Sequence, residues 1–92
     1  MAKTFLLSFD PHKTDADALH KVISTSPYVT NWSHYLASSY VLRSNHSLRV
    51  IMDDIIARWP KQRFLLAEIK HRERNGWMPM KAWDWFKKFD DK

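Results

Sequence analysis

The stretch KTFLLSFDP, residues 3–11, decides the fold because it predicts both the first strand and the point where that strand ends. Phe5, Leu7 and Phe9 alternate with the residues between them, and a period of two is typical of a strand with one buried face. The proline that closes the stretch has no backbone N–H to donate to a ladder. Asp10 is therefore expected at the rim of a sheet.

Two helical patterns follow. Thr14 is predicted as the N-cap of the first helix, with Asp17 in the capping-box position, and Ser26-Pro27 ends it. His20 is expected on the outer face of that helix. The second helix is predicted over residues 47–59, where one apolar stripe recurs with helical spacing. The stripe consists of Leu48, Ile51, Met52, Ile55, Ile56 and Trp59.

Three further strands and a terminal helix complete the pattern. Residues 29–36 and 39–43 are rich in β-branched and aromatic side chains and predict two strands, joined by a turn at Ala37-Ser38. Residues 64–69 form a short apolar run of strand length. Pro79 is placed to open a final helix at its first position.

The whole chain, residues 1–92, is interpreted as a single ferredoxin-like domain of the α+β class. The order βαββαβ predicts a four-stranded antiparallel sheet, with both helices on one face and the first strand near the middle, followed by a C-terminal helix. The other sheet face is apolar, so we expect the terminal helix or a second subunit to cover it.

The composition excludes several classes of protein. The chain has no cysteine and one glycine, which removes disulfide frameworks, thiolate zinc sites, cysteine nucleophiles and glycine-rich phosphate loops. The longest apolar run has four residues, so no membrane span is expected. There is no extended apolar stretch at the N-terminus that would resemble a signal peptide. We therefore expect a cytoplasmic protein.

The net charge of +5 comes from the C-terminal part of the chain. Residues 1–56 carry five Lys/Arg and five Asp/Glu, whereas residues 57–92 carry ten and five. The densest stretch contains Lys70, Arg72 and Arg74. A basic segment of this kind attracts phosphate, but a solvated surface loop has the same composition, and both interpretations stay open.

Asp10 is the acid with the clearest functional interpretation. A carboxylate at a sheet rim is a suitable oxygen ligand for Mg²⁺, and two copies across a dimer axis would supply a pair. The alternative is that Asp10 caps the following turn. His12 is placed for proton transfer. The adjacent Asp53 and Asp54 are expected to form i,i+4 ion pairs on the second helix rather than a carboxylate dyad.

Aromatic residues on the predicted strands allow two roles. Trp32, Tyr35 and Tyr40 are of the type that stacks on nucleic-acid bases in sheet-surface RNA binders. The aromatic motif of those binders is missing, and aromatic side chains dominate the cores of small domains. Core packing is therefore the expected role.

Three segments together resemble a family of small bacterial proteins labelled SinR-like. They are LSFDP at 7–11, WSHYLASSYVL at 32–42 and NGWMPMKAWDW at 75–85. Through strand order and one acid, these proteins are similar to a ferredoxin-like group that includes the small CRISPR adaptation subunit and VapD-type ribonuclease toxins. The resemblance implies a homodimer in which Asp10 of each copy holds Mg²⁺.

Two functions are compatible with these observations. The first is a homodimeric protein that binds RNA or DNA and belongs to a defence or toxin–antitoxin system. If it is an enzyme, it is expected to be a Mg²⁺-dependent endonuclease or endoribonuclease. In that case Asp10 holds the metal, and His12 or Ser8 orients the attacking water. Phosphates are contacted by Lys70, Arg72 and Arg74. The alternative is a non-catalytic dimeric protein-interaction module.

Overall fold

The computed structural model of the chain describes residues 2–69 and 83–87. The helices and strands follow the predicted order. They are β1 (Lys3–Phe9), α1 (Ala16–Ser24), β2 (Asn31–Leu36), β3 (Ser39–Ser44), α2 (Leu48–Arg58) and β4 (Phe64–Ile69).

The four strands form one antiparallel sheet in the order β2-β3-β1-β4. β1 lies inside the sheet, where Leu7 is paired with Tyr40 on β3 and with Leu66 on β4. β2 and β4 are the edge strands. The α+β class and the four-stranded antiparallel sheet are thus confirmed, as is the interior position of the first strand.

Each helix begins at a polar side chain that accepts a backbone N–H. Asp15 Oδ1 accepts the N–H of Ala18 at 3.0 Å, and Ser47 Oγ caps α2 in the same way. The prediction of Thr14 as an N-cap is wrong. Its hydroxyl donates to the carbonyl oxygen of Asp10 at 2.6 Å, so it stabilises the turn before the helix.

The core lies between the two helices and one face of the sheet. Alternate residues of β1 point into it, as the period of two predicts. Residues from both helices and from β1, β3 and β4 belong to the same buried cluster. Its members are Phe5, Leu7, Phe9, Leu19, Val22, Ile23, Tyr40, Leu42, Ile51, Ile55, Trp59 and Leu66.

The acids of α2 form the expected ion pairs. Asp53 lies 3.3 Å from Arg49, and both side chains are largely exposed. Asp54 lies 2.9 Å from Arg58, whose guanidinium also donates to the carbonyl oxygen of Val22 on α1 at 2.7 Å. Arg58 therefore joins the two helices, and the two aspartates act in helix-surface pairing.

The sheet face away from the helices is partly covered by residues 83–87, which are helical. Trp85 Nε1 donates to Asn31 Oδ1 at 3.2 Å, and Phe86 is buried. Asn31 precedes the core-facing Trp32 on β2, so it lies on the opposite face. Of the two expected covers for this face, the terminal helix or a second subunit, the helical segment 83–87 is the one that the described residues contain.

The remaining sequence predictions concern the chain ends and membranes. The helix start predicted at Pro79 lies outside the described residues. Over residues 2–69 and 83–87, no helix combines the length and apolar character that crossing a membrane requires.

Candidate functional site

Asp10 directly follows β1 and is exposed. Its Oδ1 accepts the backbone N–H of His12 at 2.9 Å, and its carbonyl oxygen accepts the hydroxyl of Thr14 and the N–H of Lys13. The residue therefore closes the turn that leads to α1, which is the alternative role that the sequence allowed. The hydrogen bond from His12 also holds the exposed carboxylate of Asp10 in one orientation at the sheet rim.

The other predicted catalytic residues lie near this carboxylate in the chain. Ser8 is half-buried within β1, between Ser39 on β3 and Leu65 on β4. His12 is exposed in the turn, where its backbone N–H holds Asp10. The structure thus brings His12 and Asp10 into contact through the backbone of His12.

The three basic residues proposed for phosphate contacts, Lys70, Arg72 and Arg74, lie outside the described residues. The charge argument for them therefore rests on the sequence alone.

A metal site within one chain is not formed by the part of the structure that is described. No group of three or more His, Asp or Glu side chains there is arranged to hold a metal ion. Since Mg²⁺ binds through several oxygen ligands, a Mg²⁺ ion at Asp10 would need ligands besides this carboxylate.

A second cluster of chemically active side chains lies between α1 and the sheet. It consists of His20, His34 and Tyr40, and is called the imidazole–phenol cluster below. His20 Nδ1 lies 2.9 Å from the hydroxyl oxygen of Tyr40. The ring of His34 stacks on Tyr40, with ring centroids 4.0 Å apart and planes 20° from parallel. Tyr40 is 2% exposed, whereas both histidines are exposed.

A β-bulge positions His34. The pairing of β2 with β3 shifts between Ser33 and Leu36, so that β2 contains one extra residue there. His34 Nε2 lies 3.3 Å from the carbonyl oxygen of Ala37 in the following turn. Bulges redirect side chains and are frequent beside active sites. Here the bulge accompanies a histidine that lies on the phenol ring.

The imidazole–phenol cluster and Asp10 lie at the same end of the sheet. The N–H of Phe9 donates to the carbonyl oxygen of Ser38 in the β2–β3 turn at 2.9 Å. The ring of Phe9 also packs against both His34 and Tyr40, at centroid distances of 6.4 and 5.9 Å. Phe9 is thus the residue that connects the cluster to the carboxylate that follows it in the chain.

The electrostatic setting of the cluster favours a neutral phenol. Burial raises the pKa of Tyr40, and the negative charge of Asp17 raises it further. Tyr40 therefore keeps its proton at neutral pH and can donate to a neutral imidazole. The ring of His20 is also held by an edge-to-face contact with Trp32, at 5.0 Å between centroids.

His20 is exposed, as an outer-face position on α1 requires, but its ring also contacts Tyr40 and Trp32 of the sheet. A sequence signal existed: Ala16, His20 and Ile23 are spaced i, i+4 and i+7, which puts His20 beside the buried stripe. The position of His34 has no such signal, since the bulge cannot be located from alternation alone. Tyr40 packs in the core, as expected.

Comparisons with known proteins add no relative to this description. No family model, no curated protein and no solved structure matches the chain.

Proposed function

We propose that the protein is a cytoplasmic, homodimeric nucleic-acid-binding protein of ferredoxin-like fold, and that it cleaves RNA or DNA with Mg²⁺. The observation that carries this proposal is the exposed carboxylate of Asp10, held at the end of the interior strand by the N–H of His12. The element order βαββαβ supports the ferredoxin-like assignment. So does the resemblance to SinR-like proteins.

The carboxylate of Asp10 is a suitable ligand for Mg²⁺ only if a second copy of the chain contributes to the same site. A carboxylate is the hard oxygen ligand that this ion prefers, and the bond from His12 leaves the group exposed. The described residues of one chain do not complete a site. We therefore assign the second carboxylate to Asp10 of another copy. When bound there, Mg²⁺ would polarise a phosphodiester and lower the pKa of a water molecule.

The chain's own residues have separate roles in this proposal. The imidazole of His12 or the hydroxyl of Ser8 orients the attacking water. Lys70, Arg72 and Arg74 bind phosphate oxygens, and the release of counterions from the nucleic acid drives that binding. The excess of ten Lys/Arg over five Asp/Glu in residues 57–92 supports this assignment.

The test is cleavage of single-stranded RNA and DNA with Mg²⁺, comparing wild type with Asp10→Asn. Asparagine keeps an oxygen that accepts the N–H of His12, so the turn is preserved while the charge is lost. Asp53→Asn is the matched control, because it removes an exposed carboxylate elsewhere. The Mg²⁺-dependent rate is the rate with Mg²⁺ minus the rate in EDTA. We expect this rate to be the same in wild type and control and to fall by at least about 10²-fold in Asp10→Asn, the effect typical of removing a group that acts in the transition state.

The dimer is tested in parallel by light scattering, which measures the mass of the protein as it elutes from a size-exclusion column. A mass of two chains supports the shared carboxylate pair. A monomer at the concentration of the cleavage assay contradicts it, as does equal cleavage by wild type and Asp10→Asn.

A second candidate function is a non-catalytic, dimeric protein-interaction module. It is favoured by exposed leucines on both edge strands, since Leu65 on β4 is 66% exposed and Leu36 on β2 is 48% exposed. Salt separates the two functions. Nucleic-acid binding weakens steeply as salt rises, whereas an apolar protein interface does not.

A further inference from the structure

The two histidines of the imidazole–phenol cluster have complementary proton positions. His34 Nε2 lies 3.3 Å from the carbonyl oxygen of Ala37, which can only accept a hydrogen bond. Nε2 therefore carries the proton, and Nδ1 of the neutral ring keeps its lone pair. A histidine in this state is a base whose accepting nitrogen points away from the carbonyl that fixes the ring.

His20 has the opposite arrangement. Its Nδ1 is bonded to the hydroxyl of Tyr40, which donates to a neutral imidazole and accepts from an imidazolium. This bond therefore persists in both charge states, and Nε2 of His20 bears an N–H in both. When the ring is protonated, Nε2–H is the proton that it can give to a bound group.

The surroundings allow the two rings to act on one ligand. Both are exposed, and they contact the same phenol ring. Asp17 lies one turn before His20 on α1. The negative charge of Asp17 acts on Tyr40, the phenol that both rings contact.

We propose that His34 and His20 form a metal-independent acid–base pair that cleaves RNA by attack of its own 2′-hydroxyl. This inference rests on the proposed function, because nucleic-acid binding must bring RNA to this end of the sheet. It assigns the substrate class: the chemistry requires a ribose 2′-hydroxyl, which DNA lacks.

The reaction balances without a further reactant. His34 Nδ1 takes the proton of the 2′-hydroxyl, and that oxygen forms a bond to phosphorus. The bond from phosphorus to the 5′-oxygen breaks, and His20 Nε2 gives its proton to that leaving oxygen. The products are a 2′,3′-cyclic phosphate and a 5′-hydroxyl end. Proton exchange with water then restores both rings.

The test incubates the whole chain with a single-stranded RNA in buffer with excess EDTA. A second substrate is a strand of the same sequence that contains a single ribose among deoxyriboses. Mass spectrometry identifies the ends. We expect cleavage with cyclic-phosphate ends, at the single ribose in the chimeric strand. The rate should show a bell-shaped pH profile, because one ring must be neutral while the other is protonated.

The variants are His34→Gln and His20→Gln, with His46→Gln as the matched control. His46 is also an exposed histidine packed on a tyrosine, Tyr28, but it lies outside the cluster. Each cluster variant should lose about 10²-fold or more of the rate in EDTA, whereas the control keeps it. Thermal unfolding of each variant shows whether it is folded at the assay temperature.

The outcomes separate this inference from the proposed function. Cleavage in EDTA that survives Asp10→Asn but is lost in His34→Gln supports the acid–base pair. The inference is overturned if RNA binds but is not cleaved in EDTA, or if all cleavage requires both Mg²⁺ and Asp10. Equal rates in the cluster variants and the control also overturn it. Absence of RNA binding overturns the proposed function together with this inference.

Discussion

Arg58 offers the most quantitative test of how the two helices are joined to each other. Its guanidinium donates to Asp54 at 2.9 and 3.0 Å, to the carbonyl oxygen of Val22 at 2.7 Å and to the hydroxyl of Thr25 at 3.0 Å. The side chain is 34% exposed and that of Asp54 is 14% exposed. Truncation also leaves the carboxylate of Asp54 without this partner.

The expected cost of Arg58→Ala follows from these bonds. Individual hydrogen bonds contribute about 0.5–1.5 kcal/mol net, and partial exposure reduces the ionic part. We therefore expect a loss of about 2 kcal/mol in the free energy of unfolding. For a domain of this size that corresponds to a fall in Tm of about 8–16 °C. This loss would loosen α1, the helix that carries His20.

Arg49→Ala is the matched control, because it makes the same change in the same helix. Arg49 pairs with Asp53 at the same i,i+4 spacing, but the side chains are 85% and 63% exposed. An exposed helix pair contributes about 0.3 kcal/mol. Urea unfolding measures the free energy of unfolding of both variants. A double-mutant cycle of Arg58→Ala with Asp54→Ala measures how much of the loss comes from the Arg58–Asp54 pair. Equal destabilisation by Arg58→Ala and Arg49→Ala would refute the role of Arg58 in joining the helices.

Three further predictions concern the fold. Leu42→Ala, at a core position that is 0% exposed, should cost about 3 kcal/mol in urea unfolding, and a loss below 1 kcal/mol would contradict the described packing. Ser47→Ala should cost about 1 kcal/mol, because the N-cap of α2 is lost, whereas Ser47→Asp should restore it. Tyr40 has a raised pKa in the folded state, so its contribution to stability is complete below about pH 10 and is lost as pH rises through its folded-state pKa. Unfolding of wild type and Tyr40→Phe across that range checks this, since the pH-dependent loss should be smaller in the variant.

The order and spacing of the elements were largely predictable because local signals agree with the tertiary structure. The stripe from Leu48 to Trp59 predicts α2, which begins at the cap formed by Ser47. The alternation in β1 predicts which residues enter the core. At these positions the hydrophobic period and the cap chemistry favour the same structure.

Element ends were less predictable, because neighbouring polar residues compete for the same role. Thr14 and Asp15 are both suitable N-caps, and the choice depends on the turn in which Asp10 accepts the hydroxyl of Thr14. The predicted start of β2 at residue 29 is two residues too early, since the regular strand begins at Asn31. Tertiary contacts decide both cases.

The candidate site was predictable only at its acid. The rim position of Asp10 follows from the alternation before it and the proline after it. The imidazole–phenol cluster combines residues that are distant in sequence, and it depends on a bulge in β2 and on the fit of α1 against the sheet. Single-sequence periodicity describes one element at a time and does not contain that information.

If the protein binds nucleic acid through phosphate contacts, its affinity for single-stranded RNA depends on salt. Fluorescence anisotropy measures the binding constant over a series of salt concentrations. We expect the logarithm of the binding constant to fall linearly with the logarithm of the salt concentration. Three phosphate contacts give a slope of about −2, and replacing Lys70, Arg72 and Arg74 by glutamine should remove most of it. No binding, or an affinity that salt does not change, would contradict the claim.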